Sequence, residues 1–382
     1  MTTPLSCYIH IPWCLRKCPY CDFNSYALTK HLPEKLYLNA LKRDLTIDAS
    51  LVQHKNLTSI FIGGGTPTIL STKTIAQLLD HIHKNFSFDP NIEITLESNP
   101  GTLNKKKLRG LRLAGINRLS IGIQSFQDDS LRQLSRIHSA TVARQAIEKA
   151  LWAGYQNINI DLMYGLPHQT LDKALQDLII ATQYPLTHLS WYQLTLEPNT
   201  PFADHPPTLP DDENIFAIQQ AGHALLKKAH YQHYEISAFC QKGHPCRHNL
   251  NYWGFGDYLG IGAGAHGKLT QQTSKGIQII RSHKFDRPED YLRGLQTHSF
   301  MADKQTLTDQ EIPLEFMMNA LRLTHGVPIS DFQKRTGLPL SVIQEALKKA
   351  RAEKFIRQDI RRLCPTKRGQ LFLNDCLQLF MP

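Results

Sequence analysis

The strongest constraint on this 382-residue chain is an alternation of short strand-like runs with amphipathic stretches, repeated about six times before residue 200. "SCYIHIP" (6–12), "LTSIFIG" (57–63), "NIEITLE" (91–97), "INRLSIGI" (116–123), "NINIDLMYG" (157–165) and "HLSWYQLTL" (188–196) are rich in β-branched and aromatic residues and read as strands. Between them, "STKTIAQLLDHIHKNF" (71–86) and "TLDKALQDLIIATQ" (170–183) repeat apolar residues at helical spacing. Such alternation makes βα units joined by right-handed crossovers into a parallel sheet. Six units fall short of the eight in a closed barrel, leaving a doubly wound sheet or an open barrel. The strand ends choose between these. A cysteine-rich loop follows the first strand and "GGGTPT" (63–68) the second. Glu97 closes the third, Gln124 closes the fourth, Asp161 sits within the fifth and Glu197 follows the sixth. In a barrel such ends share one rim, where reactive residues collect. The expected architecture is therefore α/β, an incomplete (β/α)6 TIM-type barrel.

The cysteine loop, "CLRKCPYCDF" (14–23), places Cys18 four residues after Cys14 and Cys21 three after that. Thiolates are soft ligands suited to zinc, copper(I) or iron–sulfur clusters. Structural zinc normally takes four protein ligands, and Cys7 and His10 lie in the first strand, away from the loop. A [4Fe-4S] cluster held by three thiolates leaves one iron open to a chelating small molecule. The opening "MTTPLSCYIHIPWC" has no basic segment followed by an apolar run, so export is not expected. Eight cysteines without an export signal point to a reducing, cytoplasmic setting.

Three cysteines at this spacing behind a first barrel strand resemble the radical S-adenosylmethionine family. Within it, "YIHIPWC", "GGGTPT", "LESNPG", "RLSIGIQSF", "IDLMYGLPHQT" and "LGIGAGAHG" resemble one branch, that of oxygen-independent coproporphyrinogen III oxidase and a group of heme chaperones. The resemblance implies that Cys14, Cys18 and Cys21 hold a [4Fe-4S] cluster. It implies further that S-adenosylmethionine meets Tyr8, Gly64, Gly65, Thr66, Glu97, Gln124, Arg136 and Asp161. Carboxylates suit hydroxyl and ammonium groups, and Arg136 suits a carboxylate.

Two positions separate the members of the branch. The oxidase continues its motif with a fourth cysteine where this chain has Phe23, and has an extension ahead of the first strand that is not expected here. "RHNLNYW" (247–253) resembles a motif of the heme-chaperone group. It makes His248 and Tyr252 candidate heme contacts, with Trp253 able to pack on a porphyrin. The implied function is a heme carrier delivering to respiratory acceptor proteins, with porphyrinogen decarboxylation as the alternative, so enzyme status stays open. A flavodoxin-like or ferredoxin-like electron donor follows from cluster chemistry. Delivery to respiratory proteins is compatible with peripheral membrane association, although no amphipathic anchor stands out.

Other motifs point elsewhere with less force. "GAGAHG" (262–267) matches the dinucleotide fingerprint, but strand-like residues follow it where a helix is required. Cys240, His244 and Cys246 do not complete a zinc set. A polar stretch between about 284 and 306 is expected to divide a 1–290 partial barrel from a 305–382 module. In that module 308–323, 328–337 and 339–355 read as helices and 356–373 as a hairpin-like wing, a winged-helix-like pattern. Residues 334–368 carry eleven Lys or Arg against three Asp or Glu. With the net charge of +10, this keeps salt-dependent nucleic-acid binding as a third class of function, disfavoured because no base-reading set is evident.

Overall fold

The computed structural model describes residues 3–29, 31–52, 55–274 and 276–381. The six anticipated strands form β1 (Leu5–Ile11), β2 (Leu57–Gly64), β3 (Phe88–Ser98), β4 (Arg118–Gln124), β5 (Asn157–Tyr164) and β6 (His188–Gln193). They pair in parallel, each beside its successor. Antiparallel strands β7 (Gln232–Glu235) and β8 (Ala238–Cys240) extend the sheet past β6. On the far side of β1 lies a seventh parallel strand, β9 (Asp257–Ile261), followed by antiparallel β10 (His266–Thr273), β11 (Gly276–Lys284) and β12 (Met301–Thr306). Among the described residues these twelve strands make one sheet with two free edges, so the barrel is incomplete. A strand, not a helix, follows "GAGAHG", as the sequence suggested.

Alternation along the strands separates the two faces. Leu5, Cys7, Ile9 and Ile11 of β1 are fully buried in the main apolar core, while Ser6, Tyr8 and His10 take the opposite face. The helix α1 (Glu34–Ala49) and its neighbour α2 (Thr72–Asn85) show how that core is built. In α2, Ile75, Leu78, Leu79 and Ile82 recur at helical spacing and are all buried. Burying each contributes about 1.5–3 kcal/mol before entropy is counted. Ser71 starts the helix by accepting a hydrogen bond from the Thr74 N–H at 3.2 Å.

The helix α3 (Asp212–Lys228), beyond β6, contains Gly222, where a β-carbon would run into the fully buried Trp191 ring. Alanine normally favours a helix over glycine. Here Gly222→Ala is expected to destabilise the fold by about 1–3 kcal/mol, because the indole cannot retreat from a packed core. Thermal unfolding measures it; an unchanged or raised melting temperature would refute the packing argument.

The polar stretch after residue 284 carries helix α4 (Pro288–Thr297) and the edge strand β12. A second apolar core begins at Leu307 and gathers Phe316, Phe332, Leu347 and Leu363, with Phe255 and Ile279 contributed by the sheet side. Its helices are α5 (Ile312–Ala320), α6 (Ser330–Thr336) and α7 (Gln344–Ala352). Val327–Pro328 pairs with Arg362–Leu363, and an isolated bridge joins Ile356 to Pro365, giving a small winged-helix-like unit. The wing is shorter than expected: Lys367–Leu371 is helical, started by Thr366, whose hydroxyl accepts from the Gly369 N–H.

Candidate functional site

The cysteine loop is held on both sides by backbone. The N–H groups of Tyr26 and Leu28 bond the carbonyls of Pro12 and Cys14 at 2.7 and 2.9 Å. On the other side, the N–H groups of Gly65 and Thr66 bond the carbonyls of Ile11 and Trp13, both at 2.8 Å. This close approach explains the glycines. A β-carbon on Gly65 would lie 2.5 Å from the Trp13 carbonyl oxygen, and one on Gly64 would lie 2.6 Å from the His10 ring. Gly64 also has φ of +109°, a region other residues rarely adopt. "GGGTPT" thus clamps the loop to the second strand end.

One cavity opens at this rim. It is lined by Cys14, Cys18 and Cys21, by Gly64, Gly65 and Thr66, and by Glu97, Gln124, Arg136 and Asp161. Apart from Arg136, which follows the short helix Asp128–Gln133, these residues come from the loop and from the carboxyl-terminal halves of β2 to β5 or just past them, as a barrel rim requires. Tyr8 is not in the lining: it is partly buried, its hydroxyl 2.9 Å from His10 Nδ1. Glu197 also lies outside the lining, with a carboxylate oxygen accepting from the Thr195 hydroxyl at 2.7 Å. Ser98, Asn99, Ser120 and Tyr192 line the cavity without having been singled out. Ser120 could have been found by stepping two residues back from Gly122 along one strand face.

The donor set fits a cationic iron–sulfur group. Burial pushes the Cys14 thiol up to about 11 and raises Cys21 too, so stable thiolates there require compensating positive charge. Arg136 supplies part of it, with Nη1 3.5 Å from Cys18 Sγ and Nη2 donating to the Gly122 carbonyl at 2.7 Å. The cavity walls also fit a polar, zwitterionic molecule. Arg136 Nε and Asn99 Oδ1 are buried without partners among the described residues, one a donor for a carboxylate and the other an acceptor for an ammonium group. Gln124 stands at φ of +71°, and its Oε1 accepts from the Tyr192 hydroxyl at 2.9 Å. A non-glycine residue held there marks a functional candidate.

Two carboxyl groups complete the interior. Glu97 Oε2 accepts from the Gly64 N–H at 3.0 Å, and Asp161 accepts from Asn159 and Ser120. Burial, reinforced by Asp161, pushes Glu97 up to about 8. A folded-state value above the unfolded one means that the protonated folded form is favoured. This contribution is therefore complete below the ordinary glutamate range and lost as pH rises through about 8. Metal-free protein is expected to lose thermal stability between roughly pH 4.5 and 8, with Glu97→Gln flattening that slope. Melting curves across this window test it, and identical slopes for both chains would contradict the assignment.

His248 and Tyr252 are not brought to this cavity. They lie on the short helix Arg247–Trp253, whose start is tied to Glu93, midway along β3. The His248 ring stacks on Phe61 at 4.8 Å and lies 4.4 Å from Tyr252 and 6.2 Å from Tyr8. It is 3% exposed, burial lowers it to about 3, and its Nδ1 has no partner among the described residues. Neutral imidazole is the ligating form, but here it is covered by Phe61 and Tyr252, which are themselves only partly buried.

Rim, cavity and cysteine loop define a radical S-adenosylmethionine protein, and the family model described as the Radical SAM superfamily matches residues 8–178. The HemN C-terminal domain model matches residues 307–372. The chain is 48% identical to heme chaperone HemW of Haemophilus influenzae, covering 99% of this chain and 98% of the relative. It is 44% identical to heme chaperone HemW of Escherichia coli, with the same coverage. This chain belongs to the HemW heme chaperone family. In fold it is similar to coproporphyrinogen III oxidase (HemN) from Escherichia coli, with a TM-score of 0.82 and 23% identity over 99% of this chain and 90% of that one.

Proposed function

We propose that this protein binds heme and transfers it to acceptor proteins, on a scaffold carrying a [4Fe-4S] cluster and S-adenosylmethionine. Full-length similarity to proteins named heme chaperone carries the reading. Phe23 supports it, since this 58% exposed side chain stands where the oxidase pattern has a further cysteine. Cys14, Cys18 and Cys21 would hold the cluster, whose open iron would bind the amino acid part of the sulfonium metabolite and supply reducing electrons. Arg136, Asn99, Glu97, Gln124 and Asp161 would orient that metabolite, Gly64, Gly65 and Thr66 would present backbone to it, and Tyr8, bonded to His10, would meet its nucleoside part.

The "HNLNYW" helix, with His248 and Tyr252, is the proposed heme-handling element, without assignment of the iron's axial atom. Respiratory proteins as acceptors, a flavodoxin-like or ferredoxin-like donor and a cytoplasmic setting with peripheral membrane contact belong to the same reading, as does a division near residue 306. No helix among the described residues is long and apolar enough to cross a membrane.

Anaerobic reconstitution tests the proposal. Ferric heme is titrated by its Soret band, coproporphyrinogen III is incubated with reductant and S-adenosylmethionine, and DNA and RNA binding are measured against salt. Saturable heme uptake without decarboxylation is expected. Turnover to protoporphyrinogen would overturn the chaperone reading in favour of the enzyme.

A further inference from the structure

An iron at the centre of a porphyrin can be reached only by an imidazole that projects beyond its surroundings. His248 does not. A second pair of histidines is placed differently. His266 opens β10 and is exposed, and its register partner across the antiparallel ladder is His283 of β11. Their rings lie parallel within 8°, with centroids 4.1 Å apart. His283 Nε2 stands 2.9 Å from Asp286 Oδ1. We propose that this stacked pair is the open iron-ligating site for heme, one of its imidazoles taking the axial position that faces the protein while the other packs on it, with Asp286 as the carboxylate that orients His283.

Three observations support this site. An imidazole bonded to a carboxylate has a fixed ring orientation and greater basicity, the arrangement that supports histidine ligands to metals. The base beneath the pair is rigid: the next residue, Lys284, is buried and bonds Asp44 and Asp48 at 2.5 and 2.8 Å. The pair also adjoins the cysteine loop, because the Asp286 carbonyl accepts from Asn24 Nδ2 at 2.9 Å and from the Tyr26 hydroxyl at 3.4 Å.

The same sheet face leads back to the "HNLNYW" helix. Arg281, two residues before His283, takes the same side of β11, so its guanidinium is available to a heme propionate in exchange for part of its pairing with Glu315. It donates to the Tyr258 hydroxyl, and the Tyr258 ring lies 4.1 Å from Tyr252. Ligand pair, cation and aromatic run thus follow one path from the rim to the helix. The helix motif contributes through this path, while the iron is held at its outer end.

The proposal rests on the heme reading, and the test separates the two. Ferric heme is titrated into the reconstituted full chain, its His266→Ala/His283→Ala double variant, Asp286→Asn and His248→Ala. Soret position and electron paramagnetic resonance report the axial ligand, and cluster absorbance checks the fold. The double variant is expected to bind heme at least about tenfold more weakly with a shifted Soret band, and Asp286→Asn about tenfold more weakly. His248→Ala should keep the wild-type spin state. A double variant with wild-type affinity and spectrum, or a His248→Ala chain that alone loses the ligand signature, would overturn the site. A wild-type chain that takes up no heme would overturn the heme reading itself.

Discussion

Cys18→Ala is expected to leave the chain folded but without iron or sulfide after anaerobic reconstitution. Cys18 is nearly buried, lines the cavity and faces the Arg136 guanidinium at 3.5 Å, so its loss removes a donor where none of the other lining residues is a spare thiol. Two remaining thiolates would leave a four-iron cluster open at two irons. Cys7→Ala is the matching control. Cys7 points from β1 into the apolar core, where burial drives its thiol far above the ordinary range. Its removal should cost about 1–3 kcal/mol of stability through lost packing while iron content stays at the wild-type level. Iron and sulfide analysis beside thermal unfolding distinguishes the two variants. A Cys18→Ala chain that reconstitutes fully, or wild-type protein purified with zinc in place of iron, would defeat the assignment.

The second large effect is expected from a single methyl group. Gly65→Ala puts a β-carbon against the backbone carbonyl of Trp13, which belongs to the two-residue ladder beside Cys14. Backbone cannot yield as a flexible side chain can, so the loop must move. A destabilisation of about 1–3 kcal/mol is expected, together with loss of cluster retention, since Thr66 N–H and Gly65 N–H would release their carbonyls. Gly101→Ala, where the nearest atom is 3.9 Å away, should leave both properties unchanged. Equal cluster yields for the two variants would show that the clamp is dispensable.

The six parallel strands were legible because strands buried on both faces concentrate β-branched and aromatic residues, and their ends carried the polar residues that now line one cavity. The seventh, β9, was hidden by its glycine. Gly260 is required because a β-carbon there would collide with the backbone of His266, yet glycine weakens any strand signal. Strand alternation gave the face that Tyr8 takes, but not its bond to His10, nor that it falls outside the cavity lining. The residues of "HNLNYW" stood out by motif, but their burial depends on Glu93 and Phe61, contacts more than 150 residues away that no local pattern encodes.

The tie between Asn24 and the carbonyls of Ala263 and Asp286 spans 239 and 262 positions of chain. During synthesis the thiols emerge early, whereas the residues that brace the segment behind them emerge late. The full set of braces is therefore complete only once nearly three quarters of the polypeptide has been made, and a nascent chain stalled before that point would hold its three thiols by the Gly65–Thr66 clamp and the loop's own ladder alone.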